Sequence, residues 1–333
     1  MKKFIQLITL TLVLVSCGSD NGQFRLEGRF RNLNQGEFYV YASGPDADGI
    51  DTIRVADGRF AYEKALQKKM TLMMVFPNFT EQAIFAEPGK KVKIKGDASH
   101  LRDMEISGTD DNELFTQFRL HTNEMTPPQL IKEVETFVGK HPESAVSLYL
   151  VKKYLVQTAT PDYAKAYQLT ALMAKAQDKG SEAEKLNRQL KTLKNGNINA
   201  SLPTFKAKDL KGKKVDRSQL KGKVNVVNVW ATWNYNSVAA LRRLNKLQTE
   251  YKDSLAIVSI NLDATTRQCE EAIKRDSLPW PIVCDTKIWK STLLRTFGIQ
   301  TMGNLIADKS GNIIARDLTS QELEDRIRQL MKK

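Results

Sequence analysis

The chain has 333 residues, more than one typical domain holds and enough for two or three. Hydrophobic residues make up 41% and charged residues 27%, an ordinary balance for a soluble globular protein. The net charge of +13 invites an anionic partner, but no nucleic-acid-binding motif accompanies it, so nucleic acid is excluded as that partner. The charge is densest over 206–223, where Lys206, Lys208, Lys211, Lys213, Lys214, Arg217, Lys221 and Lys223 face only Asp209 and Asp216. This reads as a solvated hairpin whose lysines block edge-to-edge strand pairing; an anionic surface or a glycan is the alternative.

At the N-terminus, Lys2 and Lys3 precede an apolar run over 4–15. It is too short to span a bilayer as a helix but suits the core of a signal peptide. The run ends in Leu14-Val15-Ser16-Cys17, which resembles the lipobox of bacterial lipoproteins. That resemblance implies a signal peptide at 1–16, lipidation of Cys17, and a short flexible tether over 17–23. The mature protein is then expected in the cell envelope, held to a membrane by its lipid anchor and otherwise soluble. An ordinary signal peptide containing a cysteine is the alternative.

Residues 24–108 alternate apolar and polar side chains in short runs: 24–30, 37–42, 50–55, 59–64, 71–76, 82–87, 91–95 and 104–107. Asn34-Gln35-Gly36, Asp57-Gly58 and Glu87-Pro88-Gly89 supply the turns between them. Such a series predicts an all-β sandwich domain, with a partial barrel as the alternative. The cluster Ile50-Asp51-Thr52, Asp57-Gly58-Arg59-Phe60 and Phe85-Ala86-Glu87-Pro88-Gly89 resembles an uncharacterised β-rich domain found ahead of thioredoxin-like domains in envelope lipoproteins. Asp46, Asp48 and Asp51 lack the full oxygen-ligand loop that calcium needs, and read as a solvated turn.

From 109 to 195 the period becomes helical, with Leu148, Leu150, Val151, Tyr154 and Leu155 on one face and Leu169, Leu172, Met173 and Ala176 on another. Prolines at 127, 128, 142 and 161 punctuate helix starts, giving a helical insert without a fixed repeat. His121 and His141 lack the cluster of partners a metal site requires, and neither a metal nor a cofactor is expected.

Residues 196–333 predict an α/β layer fold. Val224-Asn225-Val226-Val227-Asn228-Val229-Trp230 is a buried strand leading into Ala231-Thr232-Trp233. A helix follows with Leu241, Leu244, Leu247 and Tyr251 at core spacing, then strand 256–261, helix 265–275, a short strand, helix 288–297, a hairpin of 305–307 with 313–316, and a last helix over 320–331. Trp-Ala-Thr-Trp after an apolar strand resembles the approach to Cys-x-x-Cys in thiol-disulfide oxidoreductases of the TlpA/ResA type. The resemblance implies a thioredoxin-like fold over 196–333 and redox cysteines at the positions of Asn234 and Ser237. Neither is a thiol, so neither can carry out thiol-disulfide exchange.

Further departures accompany that loss. Val238, Ala240 and Arg242 occupy positions that hold arginine, glutamate and proline in the family, and Gln300-Thr301-Met302-Gly303-Asn304 has no proline where a cis-proline loop is implied. Gly303 is the degenerate counterpart, and its loop is expected to be trans, because a cis bond without proline costs about 2.5–4 kcal/mol. The reading is a redox-dead thioredoxin fold acting in binding or scaffolding, with no catalytic residue. Trp233, Asn234, Tyr235 and Asn236 form its candidate binding surface for an envelope protein or a glycan. The competing view is that Asn234 merely caps the helix and Trp230 packs the core.

Cys269 shares helical spacing with Ala272 and Ile273, and Cys284 ends the apolar stretch Trp280-Pro281-Ile282-Val283. Two reduced, inert thiols are expected, with a structural disulfide or a reactive pair as the alternatives. With 14 residues, a helix end and a proline turn between them, contact is expected only by chance. A reactive Cys269 or Cys284 would instead make the chain a thiol-disulfide oxidoreductase or peroxidase, the alternative from the enzyme class.

Overall fold

Strand alternation builds the first of two units, which divide between Met125 and Thr126. The computed structural model describes residues 22–43, 49–158 and 160–332. The signal peptide at 1–16, Cys17, most of the tether, Asp46 and Asp48 lie outside the described residues. The first unit contains β1 (Gln23–Arg31), β2 (Gln35–Ala42), β3 (Ile50–Ala56), β4 (Arg59–Ala65), β5 (Met70–Val75), β6 (Glu81–Ala86), β7 (Lys91–Asp97) and β8 (Glu105–Ser107), followed by helix α1 (Asp110–Thr122).

The expected sandwich is realised as one eight-stranded sheet of order β6-β5-β2-β3-β4-β1-β7-β8. Inward residues from every strand, among them Phe24, Phe38, Ile53, Phe60, Leu72, Ile84, Ile94 and Ile106, share a single core. Pairing is antiparallel except between β1 and β7. Asp51, read as turn material, accepts hydrogen bonds from Tyr62 and Lys64. Both hold its carboxyl below the usual range, Tyr62 foremost.

Helical periodicity from 109 onward assigns α1 to the central insert, but the structure packs it on the sheet. It touches both edge strands, β6 and β8. The Asn112 amide accepts from the Phe85 N–H at 3.0 Å and donates to the Phe85 carbonyl at 2.7 Å. Thr116 Oγ1 does the same for Ile106, at 3.1 and 3.0 Å. One helix thus satisfies backbone groups on both open edges, as a neighbouring strand would.

The second unit begins with α2 (Pro127–Lys140), α3 (Ala145–Val151), α4 (Tyr163–Ala176) and α5 (Glu182–Leu193). Then come the lysine-rich hairpin β9 (Lys206–Lys208) and β10 (Lys214–Asp216), β11 (Val224–Trp230), α6 (Tyr235–Tyr251), β12 (Leu255–Asn261), α7 (Thr266–Asp276), β13 (Ile282–Cys284), α8 (Thr292–Phe297), β14 (Asn304–Ala307), β15 (Ile313–Arg316) and α9 (Ser320–Lys332). The main sheet has the order β13-β12-β11-β14-β15, with β11, β12 and β13 parallel.

Every residue of β11 is buried, because both faces are covered. Val227 and Val229 pack with Leu293 and Phe297 of α8. Val224, Val226 and Trp230 pack with Leu241, Leu244 and Leu247 of α6, Cys269 and Ala272 of α7, and Leu323 and Ile327 of α9. The helices before the sheet are tied to it by Arg316, whose guanidinium donates to the carbonyls of Gly196 (2.8 Å) and Gly298 (3.1 Å) and pairs with Asp317 at 2.7 Å. Tyr163 of α4 lies under the same guanidinium, 5.0 Å from ring centre to carbon.

Candidate functional site

The parallel strands end on one edge, and the loop leaving β11 there holds the positions singled out in the sequence. Trp230 is fully buried and packs the core. Thr232 turns the chain by donating its N–H and its hydroxyl to Asp263 Oδ1, both at 2.9 Å. Asn234 then caps α6, its Oδ1 accepting the Ser237 N–H at 2.9 Å. Ser237 is buried, and its Oγ accepts from the Ala231 N–H at 3.2 Å and donates to the Asn234 carbonyl at 2.9 Å. Asn234 and Ser237, the positions expected to match the redox cysteines, therefore meet through a helix cap and a hydroxyl that closes the loop.

Capping takes the Asn234 side chain away from the candidate surface. Trp233 and Tyr235 remain outside, with 57% and 85% of their surface exposed, and Asn236 is exposed beside them. Val238 packs against the apolar layer and Ala240 is buried within it, while Arg242 pairs with Asp276 at 3.4 Å. No acid stands beneath the loop at position 240. Among the described residues there is no cis peptide bond, so the 300–304 loop is trans. Gly303 accepts the Val229 N–H at 2.9 Å, and a Cβ there would lie 2.3 Å from Asp317 Oδ1, so a larger residue would have to turn that carboxylate aside.

The two downstream cysteines contradict the expectation that they stay apart. Both are free; Cys269 is fully buried and Cys284 half-buried. Period 2 along β13 puts Cys284 on the face of Ile282, the face that α7 covers with Cys269. A side-chain contact with Cys284 pushes the Cys269 thiol above its usual value, with burial and the negative charge on Cys284 acting in the same direction. The same contact holds Cys284 below its usual value, where burial opposes the shift and the Thr286 backbone N–H adds to it. Turn geometry across Leu278-Pro279-Trp280-Pro281 brings the two together, and sequence spacing carries no signal of it.

Cys284 is in register with Asn261, and Asn261 with Trp230, so three neighbouring strand ends line up on one face. Asn261 donates to Oδ2 of the buried Asp263 at 2.8 Å, and Oδ1 of the same carboxylate anchors Thr232. One buried acid thus connects the β11–α6 loop with the strand next to Cys284.

In the first unit, an open groove on the outer face of the sheet is lined by Arg29, Arg54, Arg59, Lys93 and Lys95 with Glu27. Among the described residues no group of three or more His, Cys, Asp or Glu side chains is placed to hold a metal ion. Among them, too, no helix is long and apolar enough to cross a membrane.

Two family models match the chain: the AhpC/TSA family over residues 198–317 and a domain of unknown function, DUF4369, over residues 24–115. A thiol-disulfide oxidoreductase ResA of Bacillus thuringiensis subsp. konkukian is 25% identical over 138 residues, which is 41% of this chain and 78% of that protein. The thioredoxin-like protein YneN of Bacillus subtilis is 34% identical over 88 residues, 26% of this chain and 52% of that protein. Among solved structures, a thiol-disulfide oxidoreductase from Bacteroides fragilis is 31% identical, covering 39% of this chain and 98% of that one at a TM-score of 0.36. The C-terminal part is thus a thioredoxin-like AhpC/TSA domain with ResA-type thiol-disulfide oxidoreductase homologues, and a DUF4369 domain precedes it.

Proposed function

We propose that this protein is a lipid-anchored envelope protein whose thioredoxin-like domain has given up thiol chemistry at the β11–α6 loop and acts there in binding or scaffolding. The observation that carries this reading is the Asn234–Ser237 cap. Both redox positions are spent on internal hydrogen bonds that hold the loop in shape. Thiol-disulfide exchange needs a thiolate as nucleophile, and an amide or a buried hydroxyl supplies none. What the loop presents outward is Trp233, Tyr235 and Asn236, large amphipathic surface beside an amide. A polypeptide or a glycan of the envelope is the class of partner that suits it.

An insulin-reduction assay tests the loss of activity. The protein should stay at the rate of the buffer with dithiothreitol alone, and turnover matching an intact ResA-type enzyme would overturn the reading. Asn234→Cys with Ser237→Cys should form a disulfide yet remain a poor reductase, because Ala240 and Gly303 stay in place. For the binding role, native envelope partners retained by the wild type should be lost from Trp233→Ala with Tyr235→Ala. Equal retention by the two proteins would remove the loop from the binding surface. Anchoring is tested separately: Cys17→Ala should move the protein from the membrane to the soluble fraction, and unchanged membrane recovery would exclude lipidation as the tether.

A further inference from the structure

The position of the two thiols calls for a use distinct from that of the loop. They lie on the edge where the parallel strands end, the region of an open α/β sheet at which ligands and reactive groups gather. Cys284 is two strands from Trp230, about 10 Å across the sheet. The pair is also unequal. Cys284 is partly exposed at a strand end, whereas Cys269 is sealed in the apolar layer formed with Leu278, Trp280 and Ile282. A bulky protein disulfide would have to reach past that layer, but a small disulfide needs only the open side of Cys284.

We propose that Cys269 and Cys284 form a redox-convertible dithiol that reacts with low-molecular-weight disulfides of the glutathione class, Cys284 attacking first and Cys269 resolving. In the first step the Cys284 thiolate attacks one sulfur of the disulfide RSSR, forming Cys284–S–SR and releasing RS⁻. In the second, Cys269 passes its proton to the released RS⁻ and attacks the Cys284 sulfur, expelling the second RS⁻, which takes a proton from solvent. Two cysteine thiols lose two electrons and become one disulfide, and RSSR gains them and becomes two RSH. The reaction runs backwards when RSH is in excess, so the state of the pair follows the small-thiol poise around it.

Burial favours this order, because Cys284 is partly exposed and Cys269 is sealed. The opposite shifts of the two thiols, Cys284 downward and Cys269 upward, act in the same sense. Closing the disulfide would join α7 to the end of β13, across a turn that already holds both sulfurs on one face.

The test uses the folded full-length chain, with Cys17 followed on its own peptide. The protein is incubated with glutathione disulfide, quenched in acid, alkylated and mapped by mass spectrometry. The wild type should lose both alkylatable thiols and yield a cross-linked peptide joining Cys269 to Cys284, and dithiothreitol should restore both. Cys269→Ser should stop at a glutathione mixed disulfide on Cys284, and Cys284→Ser should not react. A wild type that keeps both thiols free, reacts only after denaturant is added, or halts at the mixed disulfide overturns the proposal. These outcomes need only the wild type, so a variant that failed to fold would not shield the idea. A negative insulin assay and a positive glutathione result are compatible, so the loop and the pair stand or fall apart.

Discussion

The ends of β11 and β13 lie on one edge of one sheet, in register through Asn261, and carry opposite inventories. After β11, the side chains of the loop bond to the chain itself: Thr232 to Asp263, Asn234 to Ser237, Ser237 to Ala231. After β13, two thiols face each other. The loop after β11 therefore keeps its shape through internal hydrogen bonds, while the β13 end brings a strand-end thiol to the layer that holds a thiol near the start of α7. A scaffold and its chemistry can be separated, because the cap that starts a helix is satisfied equally well by an amide.

The contrast breaks most severely at Asp263, since that buried carboxylate connects the loop to the neighbouring strand end. Asp263→Ala leaves the Thr232 N–H and the Asn261 amide without their acceptor, and should cost about 3 kcal/mol of stability. Urea unfolding would read this as a lower midpoint at unchanged slope; a midpoint equal to wild type would mean that the carboxylate anchors neither strand end. Ser237→Ala comes next, at about 1–2 kcal/mol, because the Ala231 N–H loses its partner in a buried site. Asn234→Ala removes a cap at about 1 kcal/mol. If both substitutions were neutral, the loop would not be the tightly bonded end of the comparison. Trp233→Ala and Tyr235→Ala should move stability by no more than about 0.5 kcal/mol, since both rings are exposed.

The comparison sharpens through pH at the other strand end. The Cys284 thiol is held below its usual value chiefly by the side-chain contact with Cys269. Its thiolate fraction, and so its alkylation rate, should persist to lower pH than that of an ordinary cysteine. Cys269→Ala removes that contact, so the rate profile should shift towards higher pH. A profile that did not move would mean that Cys269 does not hold the charge on Cys284.

Most strands were legible because alternation and turn chemistry are local. Phe24, Leu26 and Phe30 mark one face of β1, and Asp57-Gly58 marks the turn before β4. The core face of α6 followed from Leu241, Leu244 and Leu247, and the non-thiol site from two letters of sequence. What stayed hidden was non-local. Asn112 and Thr116 look like solvent-facing polar residues in any helical pattern, and only the folded sheet shows that each serves a strand edge. The meeting of Cys269 with Cys284 depends on the path of the Leu278–Pro281 turn, which no periodicity encodes. Arg316 ends a strand, and no local pattern signals that it is buried against the carbonyls of Gly298 and of Gly196, the latter 120 residues away.

The bridging helix of the first unit also sets a clock. Strands β1 to β8 can pair as they are made, but β6 and β8 keep exposed backbone groups until Asn112 and Thr116 have been synthesised. Closure of both edges thus cannot precede synthesis of that helix, and it depends on residues at the unit's far end. In the interval a nascent chain offers two open edges to any neighbouring copy, so crowding of unfinished chains is the condition under which this protein should misassemble.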